Sequence, residues 1–268
     1  MRKLKTVIIL IGTIVCPFLL KAQSGAWSTM GSGITQTSGN FGGVSMIEYM
    51  EVDSQSHLLY IGGDFYKADG QSSANLAIYD GSNYKYYSKN GYSGPSDPVL
   101  AIKVIKPNEI YLGGFFEYIT TNKVEYIGKW DGSLSSVYQK MGGGLNLNVN
   151  ALTYYNNKLY AGGNFAGEIG NSTPMDKIAR WTGTQWEPVP DAQFASAVNN
   201  FAIFNGDLIS GGAFSNWNNI VGYNGTTWYN LGTGLNGRVR DMEVYKGELY
   251  ACGDFTDAGG LTVNYIAR

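Results

Sequence analysis

The sequence predicts an all-β fold, and three observations carry that prediction. A glycine-pair motif recurs five times at a near-constant interval, apolar and polar residues alternate with period two between the recurrences, and no helical periodicity follows the first 22 residues. Glycine (37), tyrosine (20) and tryptophan (6) are abundant while charged residues make up only 15% of the chain, a profile of many short strands joined by tight turns.

The anchors are Gly62-Gly63-Asp64-Phe65, Gly113-Gly114-Phe115-Phe116, Gly162-Gly163-Asn164-Phe165, Gly211-Gly212-Ala213-Phe214 and Cys252-Gly253-Asp254-Phe255, with phenylalanines 51, 49, 49 and 41 residues apart. Each ends an alternating stretch such as Lys158-Leu159-Tyr160-Ala161. An earlier alternating stretch precedes it, and Asn156-Asn157, Asn205-Gly206 or Lys246-Gly247 lies between the two. Such dipeptides accept positive φ and close tight hairpins, which gives the first two strands of each unit. A third strand ends in Tyr79-Asp80-Gly81, Trp130-Asp131-Gly132, Trp181-Thr182-Gly183 or Tyr223-Asn224-Gly225, and a fourth begins at an aromatic such as Trp186 or Trp228. Four antiparallel strands in about 49 residues is one propeller blade. The prediction is therefore a single five-bladed β-propeller over residues 23–268.

The ends predict how the ring closes. Trp27-Ser28-Thr29-Met30-Gly31-Ser32-Gly33-Ile34 matches Trp228-Tyr229-Asn230-Leu231-Gly232-Thr233-Gly234-Leu235 and is a fourth strand without a blade. Tyr265-Ile266-Ala267-Arg268 matches the third strand at Lys177-Ile178-Ala179-Arg180, so the fifth unit lacks its fourth strand. Pairing the two completes the last blade and removes two open edges. A larger propeller interrupted between third and fourth strands leaves the same two ends.

Arg2, Lys3 and Lys5 precede 14 uncharged residues from Val7 to Leu20, and Lys21-Ala22-Gln23 follows, the layout of a secretory signal peptide over residues 1–22. The apolar run is too short to span a bilayer. An exported protein of the bacterial periplasm, surface or exterior is expected. Loss of the leader removes four cations and no acid, taking the formal charge from −2 to −6 and arguing against nucleic acid as a partner. Cys252 is then the only cysteine, so the core and not a disulfide must hold the fold.

The alternating strand, Asn-Gly-type turn, Leu-Tyr-x-Gly-Gly, aromatic-Asp-Gly and following Trp resemble Kelch and galactose-oxidase-like propeller repeats. They are closer still to exported bacterial repeat proteins of the LYxGGxF type, which also resemble the extracellular part of a fungal cortical polarity marker family. The resemblance covers Trp27 to Arg268 and implies a propeller scaffold, with no particular function. The copper chemistry of galactose oxidase is not implied, because it needs histidine ligands and His57, placed in a hairpin turn, is the only histidine.

With one histidine and one cysteine, neither a Cys/His zinc site nor a Ser-His-Asp triad can be assembled, and no cofactor or catalytic residue is expected. Cys252 replaces the first glycine of a pair and reads as a small buried side chain. Asp64 and Asp254 occupy equivalent positions that would be neighbours in a closed ring. They read as turn residues before they read as a glycosidase pair. Aromatics in phase with the repeat, among them Phe65, Phe165, Trp130, Trp181 and Trp186, are expected in packing between blades. Tyr66, Tyr92, Tyr118, Phe194 and Trp217 are out of phase and fall in the long second-to-third and fourth-to-first loops, which share one rim. They are the candidate ligand-binding residues, with Trp217 foremost because Asn216, Asn218 and Asn219 flank it. The expected function is a monomeric, non-catalytic module that recognises glycan or protein through the long-loop face. A structural or adhesion scaffold without a small ligand and a carboxylate-based carbohydrate-active enzyme are the alternatives.

Overall fold

The computed structural model describes residues 28–35, 45–85, 94–132 and 138–268. Among the described residues five larger antiparallel sheets succeed one another along the chain, with three small ribbons of two or three strands formed in the long loops. The first comprises Met46–Asp53, Leu58–Asp64, Leu76–Tyr79 and Tyr84–Lys85; the second Val99–Lys106, Glu109–Gly114, Ile127–Trp130 and Gln139–Lys140. The third holds Val149–Tyr155, Lys158–Gly163, Ile178–Trp181 and Trp186–Pro188, and the fourth Val198–Phe204, Asp207–Gly212, Ile220–Tyr223 and Trp228–Asn230. The fifth has three strands among the described residues, Val239–Tyr245, Glu248–Gly253 and Ile266–Ala267.

Consecutive units stack through their first strands, Met46–Asp53 on Val99–Lys106 and so on to Val239–Tyr245. Between each pair lies a buried cluster that mixes both units, such as Ala101, Tyr111 and Ile127 of the second with Val149, Leu152 and Phe165 of the third. Residues of all five first strands line one common cleft, as they must if the sheets radiate from an axis. This is a propeller-like all-β arrangement.

The hairpin turns take the conformation their sequences predict. Asn205 and Gly206 have φ of 53° and 86°, Asn156 and Asn157 46° and 60°, and Lys246 and Gly247 52° and 78°. Nothing lies within 4 Å of a Cβ placed on Gly206, so only the torsion opposes a side chain there. Gly206→Val should therefore cost about 1 kcal/mol or more, and Gly206→Asn, whose short polar side chain tolerates this region, clearly less. Thermal melts of the two variants check the order.

The glycine pair has two separate steric causes. Where the first glycine stands, a Cβ would meet a valine of the next unit: Gly62 against Val99, Gly113 against Val149, Gly162 against Val198 and Gly211 against Val239, each at 2.6–2.7 Å. The second glycine sits opposite a bulge in its own first strand, and a Cβ there would overlap the carbonyl entering that strand, Met46 O for Gly63 and Asn148 O for Gly163. The amide of this second glycine donates to the residue that begins the third strand, as Gly163 N–H to Lys177 O at 3.0 Å. Asn75, Tyr126, Lys177, Asn219 and Tyr265 all hold this place at positive φ. The anchor phenylalanines are fully buried in all five units.

The ends of the stack differ from its interior. Met30 and Ile34 pack on the outer face of the first sheet, beside Ile61, Phe65 and Ala68. Asp69 N–H bonds Gly33 O at 2.8 Å, as Ile169 bonds Gly144 and Gly259 bonds Gly234 elsewhere in the stack. Residues 28–35 thus lie where the exit of a preceding blade would, in agreement with their sequence match. Among the described residues Ile266–Ala267 has no fourth neighbour and Ser28–Met30 form no ladder; Trp27, at the centre of the expected partner strand, lies outside them. Ile266 and Tyr265 are 60% exposed, and Ile47 on the first unit is 49% exposed.

Residue sizes set the two end units apart from the internal ones. Ile47 stands opposite Gly63 as Val99 stands opposite Gly114, and Cys252 stands where the other units have glycine. A fifth-to-first contact of the internal kind would press cysteine on isoleucine where every other seam presses glycine on valine. It would also bring the half-buried Glu243 toward the buried Glu51, whose charge already helps to raise the Glu243 carboxyl. The expectation of a buried Cys252 is corrected accordingly: the side chain is exposed, for no valine covers it. Partial burial and Asp241 hold its thiol above the usual cysteine range, which disfavours a reactive thiolate.

Candidate functional site

The long loops of the first three units enclose a cleft of about 790 Å³. Its wall is Met46, Leu100, Phe115, Tyr118, Tyr126 and Leu147, and its rim carries Glu48, Asp64, Asp97 and Glu117. A second cleft of about 770 Å³ adjoins it over the axis, sharing Glu48, Leu100, Phe115 and Asn148, and continues past Asn150, Asn164, Asn199 and Asn200 to Arg238 and Arg240.

The anchor motif explains which residues reach this mouth. Glycines and phenylalanine are fixed by packing, and the residue between them is the free slot of the repeat. It is Asp64, Phe115, Asn164 and Ala213 in the first four units, and each lines one of the two clefts. In the fifth, Asp254 pairs with Arg240 at 2.8 Å, which holds its carboxyl below the usual range. Chemistry can change in this slot without disturbing the blade.

The first cleft is acidic. Tyr126 O–H donates to Glu117 at 3.3 Å and Ser96 O–H to Asp97 at 2.8 Å. Burial first, and then Glu117, push the Tyr126 phenol upward. The second is an amide network: Asn164 Nδ2 donates to Asn148 Oδ1 at 3.2 Å, Asn148 Nδ2 to Asn150 Oδ1 at 2.6 Å, and Asn200 Nδ2 to Asp241 Oδ1 at 2.7 Å. Asn200 Oδ1 is covered and has no partner among the described residues.

Beneath this network the first strands carry Glu51, Asp241 and Glu243, whose carboxyls burial raises above their ordinary range. Lys103 at 2.7 Å compensates Glu51 in part. An acid whose folded pKa lies above its unfolded one contributes most when both states are protonated and loses that contribution as pH rises through the folded value. Glu243→Gln should therefore raise the melting temperature at neutral pH, with the gain fading below about pH 4, where ordinary carboxyls protonate. Melts of both proteins across the acid range measure this.

The sequence-predicted site residues separate into distinct environments. Tyr118 lies in the first cleft and is 42% exposed. Tyr66 is exposed on the first unit outside both clefts, and Tyr92 lies outside the described residues. Phe194 is buried and packs edge-on against Phe214 at 4.7 Å and Trp228 at 5.1 Å, so it is core and not a ligand contact. Trp217 is half-buried on the same cluster, with its Nε1 covered and unpartnered. The flanking amides are engaged in holding their own loop. Asn216 bonds Gln193 O and Ala195 N, Asn219 bonds Leu235 O at 2.8 Å, and Asn218 caps a single 3-10 turn in the left-handed region. Of the amides expected to serve a ligand at Trp217, those of Asn216 and Asn219 thus already have backbone partners. Asp64 lies in the cleft without Asp254 beside it, and His57 is an exposed turn residue at φ 58°. Phe115 was not singled out by its sequence position, although the free slot of the anchor was the available signal.

Among the described residues no three His, Cys, Asp or Glu side chains gather as metal ligands, and no helix is long and apolar enough to cross a membrane. The architecture defines an all-β, propeller-like repeat protein. No family model matches the chain, and no curated protein does. Two of the solved structures to which it is similar illustrate the likeness. One is the computationally designed Ika8 protein, at 15% identity and TM-score 0.48, covering 84% of this chain and 74% of that one. The other is a chain of the mitotic checkpoint complex, at 14% identity and TM-score 0.47, covering 77% of this chain and 71% of that one.

Proposed function

We propose that this protein is an exported, non-catalytic binding module whose ligand is a glycan seated in the cleft formed by the long loops of the first three units. The observation that carries the reading is the free slot of the repeat: the one anchor position released from packing supplies Asp64 and Phe115 to this cleft, and Phe115 and Asn164 to the one adjoining it. Phe115 and Tyr118 leave nearly half of each ring open to solvent, and ring faces of this kind cover the C–H faces of a pyranose while carboxylates and amides take its hydroxyls. A glycan array probed with the exported protein and with Phe115→Ala tests it. Binding lost in the variant at an unchanged melting temperature is expected; a protein that binds no glycan contradicts the reading and favours a scaffold.

The scaffold proposed beneath this site is a five-bladed ring closed by the strand around Trp27 on the fifth blade. The seating of Met30 and Ile34 on the first sheet supports it. With cysteine and isoleucine at its contact, that seam is the loosest of the five. Deleting residues 23–31 should lower the melting temperature of the whole protein, because it strips Met30 from the first sheet and leaves the last blade an open edge.

A further inference from the structure

We infer that the ligand of the acidic cleft carries a cationic amine, so that the glycan bound there is an amino sugar with a free amino group. The inference rests on the glycan reading of the same site and adds charge to it. The cleft combines an aromatic wall, Phe115 with Tyr118, and four carboxylates, Glu48, Asp64, Asp97 and Glu117. Among the described residues no lysine or arginine lines it, whereas the adjoining cleft has Arg238 and Arg240. The neighbouring acids of the fold are treated differently. Glu51 has Lys103, Glu109 has Lys106 and Lys129, Glu125 has Lys123, and Glu187 has Lys158 and Arg180. Of the four cleft acids, Glu117 and Asp97 each accept a neutral hydroxyl; Lys123 feels the charge of Glu117 but is paired with Glu125 at 2.6 Å.

Apolar exposure points to a ligand independently of charge. Met46, Phe115, Tyr118 and Leu147 are each 42–49% exposed and gathered in one concavity, where bound ligand would cover them. An ammonium group beside an aromatic face gains from the ring quadrupole as well as from the carboxylates. A neutral sugar would use the wall and leave the carboxylates unneutralised.

The test compares, by calorimetry, β-1,4-linked glucosamine oligomers with their N-acetylated counterparts and with trilysine, at low and high salt. Glucosamine oligomers should bind best and weaken as salt rises. Asp64→Asn with Asp97→Asn should weaken them about tenfold and leave the N-acetylated series unchanged. Phe115→Ala should weaken both series. Equal, salt-independent binding of the two series would overturn the amine inference and leave the glycan reading standing. Binding of trilysine alone would overturn both in favour of a basic peptide, and binding of none of the three would overturn the amine inference. Melting temperatures of the variants verify that each is folded.

Discussion

Truncating Phe165 to alanine should lower the unfolding free energy by about 3–5 kcal/mol, the range for a fully buried aromatic. Phe165 has no exposed surface and sits among Leu145, Val149, Leu159 and Met175, at the point where the second strand turns into the long loop. Backbone bonds pin both sides of it: Asn164 N–H donates to Asn148 O at 3.0 Å and Met175 N–H to Ala166 O at 2.8 Å. The walls therefore cannot close over the space the ring leaves, and the cavity term is retained in full. Urea unfolding of Phe165→Ala beside Tyr118→Ala measures this, since Tyr118 is an aromatic in a matching loop of the second unit but exposed. A loss comparable in the two would show that the anchor phenylalanine is not a packing residue.

What the sequence revealed, and what it concealed, follows from the repeat itself. Features imposed by every blade on its own backbone were legible: the turns at Asn205-Gly206 and Lys246-Gly247, the four-strand order, and the buried phenylalanines all recur, and recurrence is visible in a single chain. Contacts made once were not. Phe194 and Trp217 depart from the period and so read as additions for function. The fourth unit instead uses them to fill its own long loops, packing Phe194 edge-on against Phe214 and Trp228. Phe115 was hidden for the opposite reason. It lies inside the most regular motif of the chain, next to the packing residue Phe116, and only the geometry separates the ring that points to the core from the one that lines the cleft. The last unit was equally opaque. Cys252 looked like a conservative stand-in for glycine, and its meaning appears only when the valine opposite the other four glycines is seen.

That contrast yields the second large effect. Gly162→Cys, which copies into the third unit the residue found at position 252, should destabilise the protein by about 1–3 kcal/mol, as overpacking of a filled core does. The backbone is not at issue, because Gly162 is not among the residues at positive φ. The cost is spatial. A Cβ at 162 would stand 2.7 Å from Val198 Cγ1 and 2.8 Å from the Phe201 ring, and a sulfur beyond it would need room that the third and fourth units do not leave. Val198 is fully buried, and its strand is held to Asp207–Gly212 on one side and by Asn150 on the other, so it cannot withdraw without opening the seam. Cys252→Gly is the matched control. Its side chain is exposed and no valine faces it, so its loss should change the melting temperature little. Equal effects at the two positions would mean that the fifth unit is packed against a neighbour as tightly as the third, and that the seam between the ends is an ordinary one. A large loss at 162 alone would show that the four internal seams depend on glycine and the fifth does not.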